Sequence, residues 1–370
     1  MPSTVHSVRK VFKIACIPGD GIGVDIAEAA VQVLRKLSER VGSFEFDFTT
    51  FDWSSRKYKE LGYYIHPDGP ETGMEELKKF DSIYFGAVGW PDVPDHISLW
   101  SLILPIRSSL SQYVNVRPTR ILRGTSSPLS NCKPGDLDWI IVRENSEGEY
   151  AGHGGITHAH SSNTVATEVS VFTRVGIERI MRFAFKTAQS RPRKKLTMVT
   201  KSNAQRYGMV LWDKIYDEVK GDFADVETDK MLVDAMTVRM VLRPESLDTI
   251  VATNLHADIL SDLAAALSGS IGIAPSSNLD PTRNNPSMFE PIHGSAPDIA
   301  GKGIANPVGA FWSAAEMVRW LGMENAADSL MTCLENVTDS GIKTKDLGGS
   351  SSTKEVTEAL CTEIERMMGQ

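Results

Sequence analysis

The sequence predicts an α/β protein of one or two domains. Short β-branched or alternating runs take turns with longer stretches whose apolar residues recur at helical spacing. Several of the joints between them are glycine-bearing turns. The chain has 370 residues, too many for one small core.

Lys13-Ile14-Ala15-Cys16-Ile17 reads as a buried strand, and Pro18-Gly19-Asp20-Gly21-Ile22-Gly23 as a tight turn. A helix over 25–37 follows, with Ile26, Ala29, Ala30, Val33, Leu34 and Leu37 on one face. Strand, glycine turn and helix invite a dinucleotide fingerprint, but Val24 stands where the third glycine of GxGxxG belongs. The turn is therefore read as a close backbone approach to a ligand, outside the Rossmann pattern. Phe44 to Phe48 alternates as a second strand, and 83–89 reads as a third. The stretch 90–100, rich in turn formers and tryptophan, reads as a loop running into a helix.

Arg107, Arg117 and Arg143 come at strand or loop ends beside apolar runs, the pattern of a carboxylate clamp. Tyr150 follows between glycines. His153, His158 and His160 fall in a Gly/Ser-rich segment, read as an exposed hairpin arm in preference to a metal site. A strand over 165–173, a helix over 174–188 and a solvent-facing basic turn over 191–195 come next. The strand beginning at Leu196 delivers Lys201 to a loop. Asp234 sits in the apolar run 231–236 and reads as a buried aspartate, a rare thing unless paired or metal-bound. Asp248 to Thr253 is a strand. The following helix places Asp258 and Asp262 one turn apart on one face, a pair that suits a hard cation such as Mg2+ or Mn2+. Residues 287–307 read as one long ordered loop of small and turn-forming residues, ahead of helices over 308–321 and 356–367.

Lys+Arg number 39 and Asp+Glu 47, a net charge of −8. That balance argues against nonspecific nucleic-acid binding and requires a local cationic cluster for any anionic substrate. Four scattered cysteines without a CxxC fit reduced thiols, and no apolar run is long enough to cross a membrane. The first ten residues are basic and free of acids, like an organellar presequence but short for one, so the expected location is cytoplasmic.

Taken together, these motifs resemble the β-decarboxylating 2-hydroxyacid dehydrogenases, the family of isocitrate and isopropylmalate dehydrogenases. The resemblance runs from Ile14 to about Leu360. It rests on the PGDGIG turn, the arginines ten apart, Arg143 with Tyr150, Lys201, Asp234, DILSD and HGSAPDIAGKGIANP. Residues 88–91, 93–100 and 201–206 resemble the branch acting on tartrate and D-malate. The resemblance implies two α/β domains sharing a twelve-stranded sheet, not a Rossmann fold. Residues 1–112 with 269–370 would form the cofactor domain. Residues 113–268 would form a smaller domain with a dimer-locking arm and the substrate and metal residues.

It further implies NAD- and metal-dependent oxidation and β-decarboxylation of a small 2-hydroxy dicarboxylate, with D-malate going to pyruvate and CO2, or tartrate as substrate. The alternatives are 3-isopropylmalate, isocitrate, or a noncatalytic regulatory subunit. Arg107, Arg117 and Arg143 would bind the substrate carboxylates. Asp258 and Asp262 would bind Mg2+ or Mn2+, with Asp234 from a second subunit of a homodimer. Lys201, also from the second subunit, would be the general base and Tyr150 the general acid. Glu290, His293, Gly294, Ser295, Ala296, Asp298, Ile299 and Asn306 would hold the cofactor, with K+ as a possible activator. NADP-dependent members carry lysine and tyrosine at the positions of Asp298 and Ile299. An aspartate there repels a 2′-phosphate and so implies NAD. One departure stands beside DILSD. His256 and Ala257 replace an aromatic and a glycine, and Ala257 would crowd the backbone if that glycine had positive φ.

Overall fold

The computed structural model describes residues 9–368. Of the ten residues on which the presequence question falls, 1–8 lie outside the described residues. The chain forms two compact units, one made of residues up to 111, 122–126 and from 269 on, the other of 112–121 and 127–268.

The first unit opens with β1 (Lys10–Gly19), α1 (Ile22–Val41), β2 (Phe44–Thr50), α2 (Ser55–Leu61), α3 (Pro70–Leu77), β3 (Ser82–Ala87), α4 (Asp95–Ser98) and α5 (Leu104–Ser109). The second holds β4 (Val114–Arg120), β5 (Asp138–Glu144), β6 (Gly148–Thr157), β7 (Val165–Val171), α6 (Arg174–Ser190), β8 (Lys195–Thr200), α7 (Gly208–Lys220), β9 (Glu227–Leu232), α8 (Val233–Leu242), β10 (Thr249–Ala252) and α9 (Asn254–Ser268). The chain then returns to the first unit with β11 (Pro275–Leu279), β12 (Ser287–Pro291), α10 (Val308–Trp320), α11 (Glu324–Asp339) and α12 (Thr353–Met368).

In the first unit the strands run β2-β1-β3-β12-β11, with only β11 antiparallel to its neighbour β12. In the second they run β4-β5-β10-β8-β9, with β4 antiparallel to β5. β6 and β7 form a separate antiparallel ribbon. Of the twelve strands described, two therefore stand outside the expected shared sheet. The reason is visible in β6: from Gly152 on every residue is exposed, so that part of the strand has no face to bury.

Each unit has its own apolar core. Ile17, Phe51, Trp53, Phe85, Leu102 and Ile106 meet in the first, and Trp139, Ile141, Val199, Met240, Ile250 and Leu260 in the second. α10 is apolar almost all round and is buried along most of its length, as a central helix must be. The parallel strands β1, β3 and β10 are buried on both faces, which explains their continuous apolar runs.

The stretch 90–100 runs as a loop into a helix from Asp95 on, as expected, and Leu99–Ile103 is a widened π turn in which Leu104 N–H bonds Leu99 O. Pro105 explains the widening: it has no N–H for Ser101 O and its ring crowds that carbonyl. The first five residues of the expected 287–307 loop are the buried strand β12. Arg191 does not face solvent; its Nε donates to the buried Asp248 at 2.6 Å. Among the described residues all four cysteines are free thiols.

Candidate active site

The second unit gathers five of the singled-out side chains. β4 and β5 run side by side and carry Arg117 and Arg143 into the unit, where both are buried. α9 follows β10 directly and turns Asn254, Asp258, Ser261 and Asp262 along one helical face toward them. Arg143 donates through Nε to Asn254 Oδ1 at 2.8 Å and through Nη1 to Asp258 Oδ1. Arg117 donates through Nε to Asn115 Oδ1 at 2.9 Å and through Nη1 to Ser261 Oγ at 2.5 Å. Its Nη1 also lies 3.4 Å from Asp258 and 3.8 Å from Asp262. Tyr150, from β6, donates its hydroxyl to Asp258 Oδ2 at 3.1 Å, and the Arg143 guanidinium lies 5.4 Å from the Tyr150 ring centroid.

Two guanidiniums thus face two carboxylates and a phenol. Burial raises the Asp262 carboxyl above its ordinary range, with Asp258 acting in the same sense and both arginines opposing. A cation at this helix face would relieve that tension, and carboxylate oxygens are the donors Mg2+ and Mn2+ prefer. The residues therefore fit a metal. They fill only part of its shell, because no three metal-binding side chains group together among the described residues.

Asp234 and Lys201 are placed together, apart from that group. Lys201 Nζ donates to Asp234 Oδ1 at 2.5 Å and holds that carboxyl below its usual range. Asp234 is not buried: its side chain is 65% exposed, in the first turn of α8. The apolar run that suggested burial divides by face: Met236 is fully buried, while Val238 and Leu242, which share the helix face of Asp234, are exposed by 55% and 72%. The concern over Ala257 also falls away. It lies within α9, packs in the core and has no positive φ. His256 is half-buried with its Nδ1 shut from solvent and unpaired, and burial lowers its pKa.

In the first unit, three loops at the carboxyl ends of the strands are stitched together. Asp20 is buried and accepts from Ser55 N at 2.7 Å, Ser55 Oγ at 2.5 Å and Gly89 N at 2.9 Å. Ser295 Oγ donates to Gly89 O at 2.5 Å, and Ser295 O accepts from Ile22 N at 2.8 Å. The glycines of the first turn serve this closeness. A Cβ on Gly19 would lie 1.9 Å from Ala87 O, and one on Gly21 2.0 Å from Ser295 O. Both also have positive φ. They make room for the chain itself. A cavity of about 680 Å³ opens beside the turn, lined by Gly19, Asp20, Phe51 and Trp90 among others.

On either side of the stitching Ser295, Gly294 and Asp298 are exposed, and nothing lies within 4 Å of a Cβ built on Gly294. Ala296 takes a left-handed φ of 38°. His293 Nε2 is shut from solvent without a partner, and burial lowers its pKa. Ile299 is half-buried in a turn whose N–H bonds Ala296 O at 3.1 Å. Asn306 is committed at both ends, to Asp346 at 2.7 Å and to Val308 N at 3.0 Å. Glu290 lies in β12 and accepts from Arg107 Nη2 at 2.8 Å. The open backbone at Gly294 and the orphaned His293 nitrogen fit a polar cofactor; the Ser295 hydroxyl and the Asn306 amide are already engaged in the fold.

The isocitrate/isopropylmalate dehydrogenase family model matches residues 13–360. The chain belongs to that family. A probable tartrate dehydrogenase/decarboxylase of Agrobacterium vitis is 62% identical over 353 residues, covering 95% of this chain and 98% of its own. The D-malate dehydrogenase (decarboxylating) of Escherichia coli K12 is 46% identical over 367 residues, covering 97% of this chain and 100% of its own. Among solved structures, an isocitrate dehydrogenase of Methylococcus capsulatus superposes with a TM-score of 0.84 at 33% identity, covering 95% of this chain and 99% of that one. The chain is thus a decarboxylating dehydrogenase of the isocitrate/isopropylmalate family, whose members are generally NAD(P)- and divalent-metal-dependent.

For this family member, sequence reasoning missed Asn115, Asn254 and Ser261 as the partners that aim the two arginines. A signal was present for two of them: Asn254, Asp258 and Ser261 recur at i, i+4 and i+7, a polar stripe on an otherwise apolar helix.

Proposed function

We propose that the protein is an NAD- and divalent-metal-dependent dehydrogenase that oxidises and β-decarboxylates D-malate to pyruvate and CO2, with tartrate as a second substrate. The convergence of Arg117, Arg143, Tyr150, Asp258 and Asp262 in one unit carries this reading. It supplies cationic forks for a dicarboxylate, adjacent carboxylates for a metal and a hydroxyl able to give a proton.

Arg117 and Arg143, with Arg107, bind the substrate carboxylates. Asp258 now occupies N–H groups of Arg117 and Arg143. When Asp258 and Asp262 turn to a cation, those N–H groups become available to the substrate. The metal, when bound, supplies polarisation of the 2-hydroxyl oxygen, and NAD supplies the hydride acceptor. Lys201 Nζ of a second subunit takes the hydroxyl proton, a role that needs the ammonium first to give up its own proton, and Asp234 of that subunit completes the metal shell. After CO2 leaves the β-keto acid, Tyr150 delivers a proton from its hydroxyl to the enol carbon. Asp298, exposed and anionic, favours NAD by repelling a 2′-phosphate and accepting from ribose hydroxyls. The protein acts as a cytoplasmic homodimer.

The deciding measurement is kcat/KM for D-malate, tartrate, 3-isopropylmalate and isocitrate, with NAD or NADP, Mn2+ and K+, followed by NADH absorbance. D-malate with NAD is expected to lead. A clear lead for 3-isopropylmalate would reject the substrate, and no turnover with any acid would point to a regulatory subunit.

A further inference from the structure

Glu290 falls in the stretch expected to hold the cofactor, but its surroundings assign it other work. It sits in β12, 6% exposed, and its Oε1 accepts two hydrogen bonds. One comes from Arg107 Nη2 at 2.8 Å, the other from Asn278 Nδ2 at 2.7 Å. Asn278 is fully buried on the neighbouring strand β11, and its amide also reaches Met288 O at 3.4 Å. The carboxylate is therefore pinned from the sheet side by a neutral donor and turned toward a single cation.

That cation is only partly satisfied. Arg107 is 8% exposed, and its Nε is shut from solvent with no partner. A guanidinium carries five N–H donors in a rigid planar fork, and a one-point contact to Glu290 fixes its direction while leaving donors for another acceptor. A buried donor without an acceptor is costly, and a carboxylate with two oxygens is the acceptor that matches the fork.

We propose that Glu290, anchored by Asn278, is a positioning residue that presents the Arg107 guanidinium to a substrate carboxylate, and that it is not a cofactor ligand. This rests on the dehydrogenase reading above. It makes β12 an extension of the substrate machinery, and it places the cofactor contacts later, from His293 onward.

The test separates the two KM values. E290A frees Arg107 to turn, so KM for D-malate is expected to rise at least tenfold while KM for NAD stays within twofold. E290Q keeps an oxygen that both Arg107 and Asn278 can reach, and should restore KM for D-malate to within about threefold. If E290A does not fold, E290D, one methylene short of Arg107, gives the same readout. In a Arg107→Lys background, E290A should add no further loss, because the two side chains act as one unit. Calorimetric Kd values for D-malate with Mn2+ should shift in the same proportion. A rise in KM for NAD with KM for D-malate unchanged, or no change in either, would overturn the proposal. No turnover by the wild-type protein would instead overturn the dehydrogenase reading.

Discussion

Asp258 is the residue on which most of the second-unit cluster converges. It faces Arg143, Arg117 and Tyr150, and it is the nearest counter-charge to two guanidiniums buried by more than nine-tenths. Replacing it with asparagine leaves that positive charge unbalanced. Complete burial would make such a loss several kcal/mol; because the Asp258 side chain is 35% exposed, Asp258→Asn should cost about 1–2 kcal/mol. If Asp258 and Asp262 hold the metal, Mn2+ should raise the Tm of the wild-type protein and leave that of the variant unchanged, which differential scanning fluorimetry reads without any turnover. His293 yields a pH prediction. Burial depresses its pKa, with the Gly294 carbonyl and Asp346 opposing. The fold therefore favours neutral imidazole, and the unfolded chain binds more protons below about pH 6.5. The stability this contributes is complete above that pH and is lost as pH falls toward the depressed folded value. His293→Asn should flatten the decline of Tm between pH 6.5 and 5; the half-buried His256, shifted the same way, keeps some slope. Parallel Tm curves for the two proteins would show that His293 contributes nothing. The pair Asp258 and Asp262 was legible at this scale because helical spacing alone puts i and i+4 together. The exposure of Asp234 was not, because a sequence pattern equates apolar neighbours with an interior, and α8 leaves Val238, Val241 and Leu242 in solvent.

Among the elements, the turn between β1 and α1 shows how a motif can be read correctly as tight and incompletely as to cause. Its missing third glycine ruled out one dinucleotide fingerprint. What its remaining glycines do became visible only with β3 and the 293–301 segment in place, since contacts to Ala87 and Ser295 span tens to hundreds of residues. Gly21→Ala should force a side chain into left-handed backbone and against Ser295 O, at a cost of about 1–3 kcal/mol. The expected signature is a lower Tm together with a KM for NAD raised about tenfold or more. An unchanged KM for NAD would detach the turn from cofactor binding. The strands β1, β3, β5, β8 and β10 were legible from their apolar or alternating runs. β12 was not, because Ser287 to Pro291 contains a proline and a glutamate and carries none of the β-branched residues that mark a strand. Its place in the sheet is set by pairing with β3 and β11.

For the whole molecule, the net charge of −8 makes the buried arginines local exceptions on an acidic protein. Among the described residues no helix is long and apolar enough to cross a membrane. The placement of Lys201 with Asp234, and of Asp258 with Asp262, bears on assembly, because the described residues of one chain group no three metal-binding side chains. If sites are shared across a homodimer, Lys201→Ala and Asp258→Ala proteins, each inactive, should recover activity when unfolded together and reassembled. Random pairing makes half the dimers mixed, each with one intact site, so recovery should approach about a quarter of wild type. No recovery would place each site within one chain.

The stitch among the three loops of the first unit has a consequence in time. Asp20 N–H bonds Ala87 O, Gly89 N–H bonds Asp20, and Ile22 N–H bonds Ser295 O, so each loop holds an amide of another or is held by one. No one of these amides can meet solvent by local fraying alone. In deuterium the amides of Asp20, Ile22 and Gly89 should exchange at one common rate, as a single opening unit. Gly294, exposed one residue before the last stitch at Ser295, should exchange far faster.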